Sequence, residues 1–281
     1  MPLVVNTNLG SLSAQRSLAT SGTELKTAME RLSSGKKINT AADDAAGFAI
    51  AERMTAQIRG LNMATKNAND GLAMLAVIEN ATNDVTDMLQ RMRELAVQAA
   101  NDTNGSTDRS FLQEEVNSLI SEVNRVANQT VYNNKVVLDG SLNGSIQVGT
   151  EAGQNVDFAI DSIKTNDLGY TDDGGSFNSI SSISLNSATE ASDALSTITA
   201  AIEQVASDRA SYGALQNRLE YTVSNLMNVA EFTTSARSRI EDADFAAESA
   251  RLAKAQVLQQ TGTAMLAQAN QAPQLVLQLI R

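Results

Sequence analysis

Cysteine, histidine and tryptophan do not occur in this chain of 281 residues, and proline occurs only as Pro2 and Pro273. Without cysteine there are no disulfides and no thiolate chemistry. Without histidine, zinc-protease, Cys–His and Ser–His–Asp sites are excluded. An internal proline costs about 3 kcal/mol in a helix, so the long stretch between the two prolines permits uninterrupted helices. We therefore expect a helical protein that is not an enzyme.

Aromatic residues make up only 4% of the chain, and the net charge is −11. A core built from Leu, Ile, Val, Met and Ala favours coiled-coil packing, and the acidic balance argues against binding to nucleic acid. Adjacent acids such as Asp172 and Asp173 point about 100° apart on a helix, which indicates capping or solvation rather than a shared site. We expect no metal or cofactor.

The C-terminal stretch carries no charged side chain between Lys254 and Arg281. Glutamines interrupt its apolar residues throughout, which excludes insertion into a membrane. Apolar residues recur every seven positions on more than one face, as in a helix surrounded by other protein. The predicted subunit contacts in this segment are Leu252, Leu258, Met265, Leu266 and Leu279.

The N-terminal stretch matches it, because Arg16 is the only charged side chain in residues 1–23. Leucines recur every seven residues, with Gly22 and Met29 at the interleaved positions, which predicts a coiled-coil seam. The predicted contacts here are Leu18, Leu25, Met29 and Leu32. We expect the two ends to bury each other. The alternative is that both ends fray, but disordered tails are usually charged and poor in leucine.

Apolar residues at three-to-four spacing predict three further helices between these ends. The first, capped by Asp43 or Asp44, runs for roughly sixty residues. The second has its apolar stripe at residues 112–126, ends near Thr130 and folds back antiparallel, and the third runs from about Thr189 to Thr233. Alternating apolar residues predict a β-hairpin near residues 144–160. The Gly-, Ser- and Asn-rich residues 161–187 indicate a variable surface loop.

Together these elements predict a mainly α fold. We expect an elongated antiparallel helical bundle or coiled coil with a small β-hairpin, in which the N- and C-terminal helices pair as an inner coiled coil. Residues 1–42 and 241–281 would form the two halves of that inner domain. Residues 43–240 would form a helical rod domain that carries the hairpin near 144–160 and the variable loop at 161–187.

Three motifs in this chain resemble those of bacterial flagellins. RLSSGKKIN at 31–39, followed by DDAAG at 43–47, is similar to the N-terminal signature of the family. QRMRELAVQ at 90–98 resembles its central-helix motif, and RIEDADF at 239–245 resembles the start of its C-terminal segment. The resemblance implies a structural subunit that self-assembles into the flagellar filament for swimming motility. The alternatives are a hook–filament junction adaptor and a polysaccharide-binding surface protein of related fold.

The resemblance also implies location and partners. The start of the chain lacks a basic region followed by a long apolar core, so we expect no cleaved leader. Export would use the flagellar export apparatus and a chaperone that binds the C-terminal helix. Outside the cell, the copies would form a helical filament in contact with hook-associated junction and cap proteins. Without large outer domains, the filament is expected to be smooth.

Two sets of surface residues follow from the same resemblance. A Toll-like innate immune receptor is expected to recognise Arg91 and Leu95, four apart on one helix, together with Glu115 on the antiparallel partner. Substitution of Arg91 or Leu95 by alanine would then weaken signalling with little change in melting temperature. The alternative is that Leu95 is a core residue and the charges are solvated. O-linked sugar is expected at one or more of Ser176, Ser179, Ser181 and Ser182.

Overall fold

The computed structural model describes residues 7–171 and 175–279, with side chains described up to residue 271 outside the gap. Most of these residues lie in long α-helices, which confirms the mainly α fold. The helices are α1 (Leu9–Ser34), α2 (Ala45–Ala99), α3 (Ser106–Gln129), α4 (Ala188–Glu241) and α5 (Phe245–Leu279). None of them, over the part of the chain described, is both long and apolar enough to span a lipid bilayer.

The chain divides into two compact units. Unit 1 contains residues 1–58 and 231–281, and unit 2 contains residues 59–230. The domain limits expected from the sequence, after residues 42 and 240, stay a prediction.

In unit 1 the two terminal helices pair antiparallel, as expected. The Asn8 side-chain amide donates to the Ala269 carbonyl at 2.7 Å, near the start of α1 and far along α5. At the other end of the pair, Arg31 Nη1 lies 4.0 Å from Glu248 Oε1. Residues later in α1 therefore contact residues earlier in α5, so the two helices are antiparallel.

The connector after α1 begins where glycine permits a left-handed turn. Gly35 has a φ of 70°, and its N–H donates to the Arg31 carbonyl at 2.9 Å, so α1 ends in a glycine cap. Of the two acids expected to cap α2, Asp44 does so, because its Oδ1 accepts from the N–H groups of Ala46 and Gly47. Asp43 instead accepts from the backbone of the connector. The backbone hydrogen bond from Thr40 is the main reason that the pKa of Asp43 is lowered.

In unit 2, α2, α3 and α4 pack around one hydrophobic core that contains the buried Leu75, Ile78 and Leu89. Arg109 Nε, at the start of α3, donates to the carbonyl of Ala99, the last residue of α2, at 2.8 Å. This contact closes the turn between two antiparallel helices. The predicted fold-back of the second inner helix is thereby confirmed.

Three small antiparallel strand pairs accompany the helices within the described residues. They are β1 (Val131–Tyr132) with β2 (Lys135–Val136), β3 (Asn143–Gln147) with β4 (Asn155–Ala159), and β5 (Gly169–Thr171) with β6 (Phe177–Ser179). The β3–β4 pair confirms the predicted hairpin, with Ile146 opposite Val156. The β1–β2 turn uses Asn133 and Asn134 at positive φ, which asparagine tolerates better than most residues.

Residues 161–187 differ from the plain surface loop expected from their composition. They contain β5, β6 and a short 3₁₀ turn (Ile180–Ser182). Four of their apolar side chains are fully buried in the core of unit 2: Ile163, Leu168, Ile180 and Leu185. These residues stand at irregular intervals, so no helical or strand period reveals that they are buried.

Two glycines of α2 make room for the β3–β4 hairpin. A Cβ added at Gly71 would lie 2.5 Å from Ile146 Cδ1, and one at Gly60 would lie 2.7 Å from Thr150 Cγ2. The hairpin therefore packs closely against α2 because these positions have no side chain. The helical propensity lost at the two glycines is the cost of that close contact.

Gly71→Ala and Gly213→Ala should consequently have opposite effects. A Cβ at Gly213 in α4 meets no atom within 4 Å, so alanine there should stabilise the helix by about 1 kcal/mol. At Gly71 the added methyl group forces Ile146 to move, and overpacking of about 1–3 kcal/mol outweighs the same gain. Thermal denaturation of the monomer, followed by circular dichroism, should give a higher midpoint for Gly213→Ala and a lower one for Gly71→Ala. Equal shifts would contradict close packing of the hairpin.

Candidate assembly and recognition surfaces

Apart from Glu248, the most buried side chains between α1 and α5 are small. On α1 the buried residues are Ser11, Ser21 and Ala28, and on α5 Ala255 is 2% exposed. Ser21 and Ala28 stand seven apart, so the seam expected from the sequence is present but its interleaved positions differ. They are Ser21 and Ala28 rather than Gly22 and Met29.

The predicted contact residues lie outside this narrow seam. Five leucines are half-buried along its edges: Leu18, Leu25, Leu32, Leu252 and Leu266. Met29, Leu258 and Met265 are exposed to solvent, with Met265 at 64%. The side chain of Leu279 lies outside the described residues. A pair of helices can bury only the sides that face each other, so the remaining apolar side chains stay uncovered among the described residues.

We use the name assembly surface for the large apolar side chains that α1 and α5 leave exposed. It comprises Leu9, Leu12, Met29, Phe245, Val257, Leu258 and Met265. Large apolar side chains that lie together in water can mark an interaction site, which makes this helix pair a candidate for contact with other copies.

Arg91 and Glu115 meet on the surface of unit 2. Nε and Nη2 of Arg91 donate to Glu115 Oε1 at 3.0 and 2.9 Å, and Nη1 donates to Glu94 Oε2 at 2.8 Å. Leu95 is 1% exposed and belongs to the core. The expectation that Leu95→Ala leaves the melting temperature nearly unchanged is therefore wrong, because truncating a buried leucine costs about 2–5 kcal/mol.

The four serines expected to carry sugar lie on and beside the β5–β6 hairpin. Ser176, Ser181 and Ser182 are exposed, and Ser179 is half-buried. The hydroxyls of Ser179 and Ser181 are 2.8 Å apart, and Ser182 donates to the Ser179 carbonyl at 2.9 Å. Three of the hydroxyl groups are thus reachable from solvent, and their glycosylation stays a prediction.

Two polar groups of α4 lie in the interior of unit 2. Tyr212 is 1% exposed, and its hydroxyl accepts a hydrogen bond from the Asp161 N–H at 3.2 Å. Burial raises the pKa of Tyr212 to about 12. One turn earlier on α4, Asp208 Oδ2 is buried without a hydrogen-bond partner among the described residues. Burial, and then repulsion from Asp161, raises the pKa of Asp208.

This raised pKa implies a pH dependence of stability. The folded state holds the Asp208 proton more tightly than the unfolded state, so the ionised carboxylate opposes folding above the folded-state pKa. That opposition disappears as the pH falls through the folded-state pKa toward the ordinary value of 3.8. Asp208→Asn should therefore raise the thermal midpoint at neutral pH, with a gain that shrinks on acidification. The exposed Asp193→Asn serves as control, and a gain independent of pH would refute this assignment.

The ends of the chain match known families. Residues 5–143 match the bacterial flagellin N-terminal helical region, and residues 195–280 match the C-terminal helical region. The chain is 39% identical to flagellin of Halalkalibacterium halodurans over 280 residues, 99% of this chain and 100% of that protein. It is also 39% identical to flagellin of Bacillus subtilis over 302 residues, 99% of each chain.

Two further comparisons extend this result. The flagellar filament 33 kDa core protein of Treponema phagedenis is 39% identical over 290 residues, 99% of this chain and 100% of that protein. Among solved structures, a putative flagellar hook-associated protein from Vibrio parahaemolyticus has a TM-score of 0.60 at 15% identity, covering 71% of this chain and 100% of that chain. At that identity the likeness concerns the fold alone.

Paired terminal helices, an exposed apolar surface and these matches together define a protein of the bacterial flagellum. The chain belongs to the bacterial flagellin family. It is a structural subunit of the extracellular flagellar filament, formed from many copies of one chain, and it is not an enzyme. The junction adaptor and the polysaccharide-binding protein, the alternatives considered from the sequence, are set aside.

Proposed function

We propose that copies of this chain polymerise through the α1–α5 pair, with the assembly surface buried against neighbouring copies. The observation that carries this proposal is the exposure of large apolar side chains along both helices, from Leu9 to Met265. Removing apolar surface from water stabilises a contact by about 25 cal/mol per Å². Several such side chains on each copy therefore provide a substantial driving force for association.

The composition of α5 supports the same conclusion. Beyond Lys254 the helix has no charged side chain up to Arg281, so nothing repels a neighbour of the same kind. Two helices alone bury too little apolar area to offset the entropy lost when both become ordered. We therefore expect the ends to be loosely structured in the free subunit and ordered in the filament, where neighbours supply the missing area.

Leu266→Glu tests whether neighbouring copies cover the half-buried edge of α5 beside this surface. Leu266 is half-buried within one chain, and we expect neighbours to cover the rest of it in the filament. Its replacement by glutamate would therefore lose about 1.5–3 kcal/mol of apolar burial. The new carboxylate would also be desolvated without a basic partner between Lys254 and Arg281. Electron microscopy and sedimentation should find folded monomer and no filaments at neutral pH, with partial recovery at low pH as the carboxylate takes up a proton.

The control for this experiment is Leu266→Met, which keeps an apolar side chain of similar volume and should assemble normally. The melting curve of the monomer should be the same for both variants. Normal filaments from Leu266→Glu at neutral pH would show that this side of α5 stays in solvent, and the proposal would fall.

We also propose partners that act before and during assembly. An exposed apolar α5 would associate prematurely inside the cell, so a chaperone that covers the C-terminal helix suits its surface. Export through the flagellar apparatus is consistent with terminal segments that become ordered only in the polymer. Hook-associated junction and cap proteins would contact the same end helices at the two limits of the filament.

Recognition by a Toll-like receptor is proposed to depend on Arg91 and Glu115. Their paired side chains are exposed on unit 2, whereas Leu95 lies in the core. Arg91→Ala in the monomer should weaken receptor signalling and leave the melting temperature unchanged. Leu95→Ala should lower the melting temperature, because it creates a cavity. Full signalling by Arg91→Ala in a cell reporter assay would contradict the proposal, because the Arg91 charge would then only be solvated.

A further inference from the structure

A charged groove of about 410 Å³ opens between α1 and α5 in unit 1. Residues 23, 27 and 31 of α1 line one wall at intervals of four, and residues 248, 251 and 254 of α5 line the other at intervals of three. The lining residues are Thr23, Glu24, Thr27, Arg31, Glu248, Arg251 and Lys254. Three cations and two carboxylates leave an excess of one positive charge, in a chain whose net charge is −11.

The carboxylates of the groove do not satisfy its cations. Glu248 is 6% exposed, and it lies between Arg31 Nη1 at 4.0 Å and Arg251 Nη1 at 3.3 Å. Arg31 Nε is buried and has no hydrogen-bond acceptor among the described residues. Arg251 remains 65% exposed, and Lys254 is exposed. The groove therefore presents exposed cationic donors, on Arg251 and Lys254, that an anionic group from outside the chain can reach.

Unit 1 also contains acids that lack a partner. Most of its other carboxylates are engaged within the chain: Asp43 with the connector backbone, Asp44 and Asp244 as helix caps, Asp242 with Ser238, and Glu241 with Lys36 and Arg237. Outside the groove, the remaining acids in the described part of this unit are Glu30, Glu52 and Glu231. All three are exposed, and no described residue forms an ion pair with them.

We propose that the groove receives a glutamate carboxylate from a second copy of the chain, supplied by Glu30, Glu52 or Glu231. The charges are complementary, and the groove is on the same helix pair as the assembly surface, so one neighbour can cover both. A carboxylate accepts hydrogen bonds from the exposed donors of Arg251 and Lys254, and so replaces the water that these side chains lose when copies pack together. The inference rests on the proposed polymerisation through α1 and α5, and it adds an ionic contact that sets which copies fit.

Reversal of the groove charge tests this contact. The double variant Arg251→Glu/Lys254→Glu should raise the critical monomer concentration for elongation by at least about tenfold. The control Lys26→Glu/Lys37→Glu makes the same change in net charge at exposed lysines of unit 1 outside the groove. Its critical concentration should stay within about twofold of the parent. A similar loss in both variants would mean that net charge alone is responsible, and would overturn the proposal.

The reciprocal exchange is decisive. Glu30→Lys/Glu52→Lys/Glu231→Lys should also fail to elongate, and the five substitutions combined in one chain should restore filaments, because the attraction is then re-formed with the signs reversed. No recovery in the combined variant would mean that something other than these glutamates occupies the groove. If the groove variant assembles normally while Leu266→Glu does not, this ionic contact is wrong and the proposed assembly surface still stands.

Discussion

The incomplete burial of α1 and α5 is the constraint on which the function of this chain depends. Ser21 and Ala28 allow the two helices to approach closely, but the small seam they form leaves leucines half covered and Met29, Leu258 and Met265 in water. Within the described residues of unit 1, the α1–α5 pair leaves these side chains uncovered, so the pair alone cannot remove them from water. Additional copies are the natural source of that cover, as expected for a subunit of a filament.

Unit 2 instead encloses a large hydrophobic core of its own. Three helices and the β3–β4 hairpin enclose a core in which Leu75, Ile78 and Leu95 are almost fully buried. Gly60 and Gly71 allow the hairpin to lie close to α2. A polar group left without a partner, Asp208, is tolerated because this core supplies more stabilisation than the group costs. Within each unit, the burial of the side chains thus indicates which helix faces are covered by the chain itself and which are left for contact with a partner.

The sequence was most informative where a local rule has one structural outcome. The seven-residue repeat of Leu18, Leu25 and Leu32 identified a helix that pairs, and alternation around residues 146–160 identified the hairpin. It was less informative where burial depends on distant neighbours. Ser21 escaped notice because a small polar residue carries no apolar signal. The burial of Leu95 and of the unpaired Asp208 Oδ2 depends on segments far away in the chain. The local spacing of apolar residues does not reveal such contacts.

Hydrogen exchange of backbone amides in monomer and in filament tests the dependence of the chain ends on their neighbours most directly. Residues 9–34 and 245–271 should exchange rapidly in the monomer and slowly in the filament, because local opening of a helix pair costs little until other copies cover it. Residues 112–129, in the core of unit 2, should be protected in both states. Equal, strong protection of the two ends in the monomer would contradict the account, since α1 and α5 would then be stable without any neighbour.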